Sequence, residues 1–382
     1  MKFIDEYRDS DTIKSLLAQL EQEATRPFGY RLMEFCGGHT HAFYRYGLLP
    51  LLPETLQMVH GPGCPVCVLP ISRIDAAVAL AAREGVIFCS YGDMLRVPGS
   101  DGKSLLKAKA AGADVRMIYS PLDAVKLAKQ NPDYQVVFFA VGFETTAPAT
   151  ALALKQAFEL KIPNFSVFCN HVLTPPAIRA ILDSDDGDKP VVDGRIDGIV
   201  GPGHVSAIIG CSAYRFVADK NHIPLVISGF EPVDLLESIL LLVRQINDGK
   251  TVIENRYSRV VKDEGNLQAI ALMDEVFELR GSFEWRGFGM LPDSAQRLAP
   301  KFADYDAELR FDVIYGEAHD HKACRCAEVL RGQLQPEQCS VFAGACTPEN
   351  PLGACMVSSE GACAAAYQYG QHHSNSLQGA NQ

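Results

Sequence analysis

The sequence predicts an α/β fold: two similar parallel-sheet domains facing a cleft, and a third, mixed domain toward the C-terminal end. Three observations carry this expectation. Short apolar runs alternate with helix-length ones from about residue 30 to 245, the pattern of βαβ units. The order then starts over, because TLQMVHGPGCPVC (55–67) has a counterpart in RIDGIVGPGHVS (195–206), each a strand running into Gly-Pro-Gly. From about residue 250 the alternation gives way to mixed helix and loop, and half of the twelve cysteines fall between 324 and 363.

Taken in order, Ile13, Leu16, Leu17 and Leu20 recur at helical spacing, so residues 1–25 are read as an amphipathic helix packing on the C-terminal domain. RLMEF (31–35), TLQMVH (55–60) and GVIFCS (85–90) read as strands, with the helix IDAAVALAARE (74–84) between the last two. YQVVFFAV (134–141), FSVFCN (165–170), RIDGIV (195–200) and PLVISGF (224–230) read as a second set of strands. TTAPATALALKQAFEL (145–160) and AYRFVADK (213–220) are the helices among them. The expected domains are 26–125, 126–245 and 246–370, with the polar tail QHHSNSLQGANQ (371–382) disordered.

At 382 residues, 47% hydrophobic and 21% charged, the composition is that of a soluble globular protein of two or three domains. A formal charge of −11 argues against nucleic acid or an anionic membrane as partner. The longest apolar runs, such as LLESILLLV (235–243), are too short to span a bilayer. MKFIDEYRDSDTIK at the start has acids where a signal peptide needs an apolar core, so a cytoplasmic setting is expected. A static disulfide framework is unexpected in that setting.

In open parallel sheets ligands bind beyond the carboxyl ends of the strands. CGGHTH (36–41), GPGCPVC (61–67), GFETT (142–146) and GPGHVS (201–206) all fall at such ends, so they are expected to line one cleft. Cys36 enters a helix N-terminus, which favours a thiolate, and the glycines after it permit close approach of a ligand. A thiolate beside His39 or His41 suits a soft or borderline metal; the bland alternative is a tight turn with ordinary hydrogen-bonding histidines. Cys64 and Cys67 are expected to form a reversible dithiol, the alternative being a structural turn. Glu144 is a candidate acid/base or part of a helix cap, and His204 is a candidate opposite the Gly-Pro-Gly-Cys loop. Cys89, Cys169 and Cys211 sit in or beside apolar runs and are read as core residues. PGSDGKS (98–104) imitates a phosphate loop, but Gly99 lies too close to Gly102 and Lys103, and a surface turn is expected.

The strongest signal is the run from Cys324 to Cys363, which contains six cysteines. Four suffice for a 4Fe–4S cluster, and the remaining two can form a dithiol beside it. A zinc site is the alternative, though it explains neither the count nor the irregular spacing.

CGGHTH, GPGCPVC, GFETT, GPGHVS and GACMVSSEGACAA, spread over residues 34–366, together resemble the HypD family of hydrogenase maturation factors. The resemblance implies two Rossmann-like domains and a third, iron–sulfur domain. It implies a scaffold and redox protein rather than a conventional turnover enzyme. Its task would be to assemble, with the small chaperone HypC, the iron, cyanide and carbon monoxide unit of nickel–iron hydrogenases. Cyanide would come from HypE, which receives its thiocyanate with the help of HypF, and the chain would be a monomer in the HypC complex. Carried over by motif, Cys36 is the iron-binding thiol with His39 beside it, and Cys64 and Cys67 are the cleft dithiol. The 4Fe–4S ligands match Cys326, Cys339, Cys346 and Cys363, leaving Cys324 and Cys355 as a second redox dithiol. That arrangement resembles ferredoxin–thioredoxin reductase, so a stand-alone disulfide reductase is the rival function. A zinc-stabilised α/β binding protein is a third.

Overall fold

The computed structural model describes residues 5–183 and 195–378. Its strands in chain order are β1 (Tyr30–Glu34), β2 (Leu56–His60), β3 (Val86–Ser90), β4 (Asp114–Met117), β5 (Gln135–Gly142) and β6 (Phe165–His171). There follow β7 (Gly198–Gly201), β8 (Leu225–Ile227), β9 (Ile253–Asn255), β10 (Phe277–Trp285) and β11 (Gly289–Leu298). They form a five-stranded sheet in the order β2-β1-β7-β8-β9 and a four-stranded sheet in the order β4-β3-β5-β6. Every pairing within these two sheets is parallel. The antiparallel hairpin β10–β11 is a separate two-stranded sheet that packs against β6 of the second sheet.

The strands expected from apolar runs are present, and their composition explains why. β5 and β6 are buried almost throughout. Val137, Phe139 and Val141 enter one hydrophobic core while Val136, Phe138 and Ala140 enter another on the opposite face. A parallel strand covered on both faces reads as a continuous apolar run rather than an alternation.

The allocation of strands to sheets differs from the contiguous halves 26–125 and 126–245. The chain leaves the first sheet after β2, builds the whole second sheet, and returns at β7, where Met33 pairs with Ile199. A boundary at 125 would cut the helix Pro121–Gln130, which packs on β5. β9, placed by sequence in the segment 246–370, pairs with β8 in the first sheet. Alternation reports how many strands exist; hydrogen bonding between strands distant in sequence decides which sheet each joins.

The helix Ser10–Glu23 is capped by Asp9, whose carboxylate accepts from the Thr12 amide at 2.8 Å. Leu16 and Leu20 are buried against Leu235, Leu236 and Ile239 of the helix Pro232–Asn247. Arg244 of that helix clamps Glu23 at 2.7 and 2.8 Å. The N-terminal helix therefore packs on the first sheet's own helix, not on the C-terminal segment, because its apolar stripe matches that longer apolar face. The helix Ala362–Gln378 runs into the segment expected to be disordered, whose last residues, 379–382, lie outside the described residues. Among the described residues, no helix is long and apolar enough to cross a membrane.

Candidate functional site

Three of the four glycine motifs leave adjacent strands. CGGHTH follows β1, GPGCPVC follows β2 and GPGHVS follows β7, while GFETT follows β5 of the second sheet. All four contribute to one cleft of about 330 Å³, lined by Cys36, Gly63, Pro65, Thr145, Thr146, His204 and, from the C-terminal segment, Glu360.

Cys36 is the extended N-cap residue of the helix Gly37–Arg45, and its carbonyl accepts from the His39 amide at 2.8 Å. The Gly-Pro-Gly loop interlocks with it: Gly37 donates to the Gly63 carbonyl at 2.9 Å. A Cβ on Gly63 would lie 2.6 Å from the Cys36 nitrogen, so only glycine fits. Beneath, the buried Glu34 carboxylate accepts from the Cys36 amide at 3.1 Å, from the Thr40 hydroxyl, and from His60 Nδ1 at 2.9 Å. Three short segments are thereby tied to one side chain that no sequence signal singled out.

The imidazole facing the Cys36 thiol belongs to His204, with Nδ1 3.7 Å from Sγ. Its ring stacks on Phe230 at 3.9 Å between centroids, and burial pushes it below its ordinary range. His39 is turned elsewhere. It is buried, with Nε2 donating to the Ser228 carbonyl at 3.2 Å, and burial pushes it down to about 3, so it is neutral. Helical geometry causes the change of partner: the side chain of the third residue past the N-cap points back into the protein. His41 meets the Ser359 carbonyl at 3.1 Å instead.

Burial pushes the Cys36 thiol up to about 12, and the charges of Glu360 and Glu34 add to it, while the Gly38 amide pulls the other way. The helix terminus alone predicted a favoured thiolate; desolvation and two carboxylates outweigh it. A bound cation would reverse that balance, since a coordinating thiol is deprotonated.

Glu144 does not line the cleft, although its neighbours Phe143, Thr145 and Thr146 do. Its buried carboxylate accepts from the Thr174 amide at 2.9 Å and the Thr174 hydroxyl at 3.1 Å, closing the start of the helix Thr174–Leu182. Burial pushes it up to about 7.

Cys64 and Cys67 are joined as a disulfide. Pro65 opens a single helical turn, Pro65–Val68, and the Cys67 amide donates to Cys64 Sγ at 3.2 Å. Pro70 then prevents the turn from continuing. Ala354–Met356 packs against this turn, and Cys64, Cys67, Cys326 and Cys355 belong to one buried apolar cluster.

In the C-terminal segment Cys355 pairs with Cys326, not with Cys324. Cys326 opens the helix Cys326–Leu330 and is turned inward toward the equally buried Cys355. Cys324 precedes the helix and sits where a Cβ on Gly353 would be 2.3 Å from its sulfur. Cys324, Cys339, Cys346 and Cys363 are free and line one cavity together with the disulfide. Burial raises the Cys363 thiol, and Cys324, Cys346 and Cys339 raise it further. Four free thiols around one cavity are the number of cysteine donors that a 4Fe–4S cluster takes. Among the described residues, no three His, Cys, Asp or Glu side chains converge as a single-ion site. Cys89 and Cys169 lie buried in the second sheet, and Cys211 is buried in the core beside the first.

Two parallel sheets with a thiol-centred cleft and a second thiol-lined cavity define an α/β protein built around cysteine chemistry. The chain belongs to the HypD family of hydrogenase maturation factors. The HypD family model, described as the hydrogenase formation hypA family, matches residues 11–370. The chain is 56% identical over 371 residues to the hydrogenase maturation factor HypD of Azotobacter vinelandii, covering 97% of each. It is likewise 56% identical over 371 residues to that of Rhizobium leguminosarum bv. viciae, covering 97% of this chain and 96% of the other. With that of Escherichia coli K12 it shares 48% over 381 residues, 98% of this chain and 100% of the other.

Proposed function

We propose that this maturation factor is a cytoplasmic scaffold and redox protein. With a HypC-type chaperone, as a monomer in that complex, it holds the iron whose cyanide and carbon monoxide ligands are being assembled, and it receives cyanide from HypE. The iron fragment is substrate here, and Cys36 is its anchor. The observation that carries this is the Cys36 thiol facing His204 Nδ1 at 3.7 Å in a cleft that all four motifs line.

The chain's own groups account for the binding step. The Cys36 thiol is held protonated by burial and by Glu360 and Glu34, so taking up a cation releases a proton. His204, kept neutral by burial, can accept that proton at Nδ1. Glu34 fixes the Cys36 backbone, and Phe35, Phe143 and Val205 in the cleft wall limit water around the fragment.

Cys324, Cys339, Cys346 and Cys363 would hold a 4Fe–4S cluster, which when bound supplies electrons one at a time. The Cys326–Cys355 pair shares their cavity and packs toward Cys64–Cys67. Reducing either disulfide takes two electrons and two protons, and thiol–disulfide exchange between the pairs carries both toward the cleft. The same adjacency suits a stand-alone disulfide reductase. However, Cys64 is 3% and Cys67 0% exposed, which denies a protein disulfide access to them.

The test is infrared spectroscopy on protein co-purified anaerobically with the chaperone. Wild type should show bands of iron-bound cyanide and carbon monoxide. Cys36→Ala should lose them while keeping the visible absorption of the cluster. Bands that survive the substitution overturn Cys36 as anchor.

A further inference from the structure

Arg286 is 3% exposed and sits at the tip of the β10–β11 hairpin. Its backbone amide donates to the Val68 carbonyl at 2.7 Å and its Nε to the Leu69 carbonyl at 3.0 Å. Both acceptors end the helical turn that carries Cys67. On its other side the next residue, Gly287, has φ +84° and approaches so near Ala327 that a Cβ would lie 2.9 Å from it. The hairpin tip is thus wedged between the Cys64–Cys67 turn and the segment holding Cys324 and Cys326.

The guanidinium is incompletely matched. Nη1 and Nη2 are buried without a hydrogen-bond partner. The carboxylate nearest to it is that of Asp320, 3.5 Å from Nη1 and 40% exposed. Asp320 lies four residues before Cys324, whose own amide donates to the His321 carbonyl at 2.8 Å. Burying a guanidinium with one long, half-exposed ion pair and two unbonded nitrogens is costly, and an apolar side chain of similar volume is often the more stable choice. A buried group left unsatisfied calls for a missing partner. Four thiolates holding a cluster would supply the negative charge that the described side chains lack.

We propose that Arg286 is a positioning residue for the cluster site, its buried cation lying against the segment that leads into Cys324 and raising the cluster's reduction potential. Net charge and hydrogen bonding around cluster sulfurs set that potential. A fixed cation stabilises the reduced, more negative state. The same side chain grips the end of the Cys64–Cys67 turn, so the element that tunes electron supply also braces the dithiol that would use it. This inference rests on the four-thiol cavity holding a cluster.

The test is a redox titration followed by electron paramagnetic resonance on the anaerobic full-length chain, comparing wild type with Arg286→Met and Arg286→Lys. Arg286→Met removes the charge at nearly constant volume and should move the midpoint to more negative potential. Arg286→Lys keeps the charge and should recover most of that shift. A midpoint unchanged in the Met variant, or a Lys variant shifted as far as Met, overturns the role of the charge while leaving the cluster itself established. A wild type with no four-iron signal overturns both. Should Arg286→Met fail to fold, Asp320→Asn at its half-exposed position removes the partial counter-charge and should raise the midpoint. No rise there overturns the inference.

Discussion

Exchanging the roles of Cys324 and Cys326 gives a prediction with two readouts that cross. The structure joins Cys326 to Cys355 across a sequence separation of 29. The loop-closure entropy of a ring of about that size is worth about 3.5 kcal/mol. Cys326→Ala should therefore cost about 3.5 kcal/mol in urea unfolding of the oxidised, iron-free protein. Cys355→Ala deletes the same cross-link, so the double variant should lose little more than either single one. Both variants should nonetheless retain about four irons per chain when loaded anaerobically. Cys324→Ala should do the opposite. It breaks no cross-link, so its iron-free stability should fall by under about 1 kcal/mol, but it removes one of the four free thiols lining the cavity. Its iron, acid-labile sulfide and visible absorption should all collapse. A Cys326→Ala protein without iron, alongside a Cys324→Ala protein with four, would refute the ligand set drawn from the structure.

Further outcomes follow from the cleft. Glu144 is raised from 4.5 to about 7 by burial. The folded protein therefore keeps a proton that the unfolded chain releases, and stability present below pH 4.5 should decline as pH rises to 7. Glu144→Gln should flatten that slope and gain up to about 3 kcal/mol above pH 7, read from denaturant midpoints at several pH values; an unchanged slope counts against the assignment. Gly63→Ala puts a Cβ 2.6 Å from the Cys36 nitrogen. It should cost about 1–3 kcal/mol and weaken iron binding at Cys36 without touching the cluster absorption; unaltered iron binding would show that the loop contact is dispensable. Alkylation of Cys64 and Cys67 followed by mass spectrometry should find both unlabelled in the oxidised, unfolded protein and both labelled after reduction. Full labelling under every condition would make them structural.

What was legible in the sequence is whatever local pattern dictates. Apolar runs report burial on both faces, which is why β5 and β6 stand out without any partner being known. The helix start at Gly37 follows from motif chemistry, whereas the contact that reserves position 63 for glycine is visible only once Gly63 is seen against Cys36. The illegible part is long-range. The pairing of β1 with β7 joins residues about 33 and 199, and nothing near either strand announces it. The same limit explains the thiols. Cys324 and Cys326 are separated by one residue, and the choice between them is made by Gly353 and Cys355, which arrive from beyond the next turn of chain. His39 and His204 differ likewise: the first is near Cys36 in sequence, the second in space. Glu34 was read only as part of a strand, yet its place at the carboxyl end of β1, just before the motif, is where a buried acid can collect the amide of Cys36 and the ring of His60 together. Glu360 escaped because its only mark is an acid within GACMVSSEGAC, and its importance arises from packing directly on Gly37 while lining the cleft beside Cys36. Residue types therefore told of chemistry, while the return of the chain to the first sheet brought His204 rather than His39 to face the Cys36 thiol.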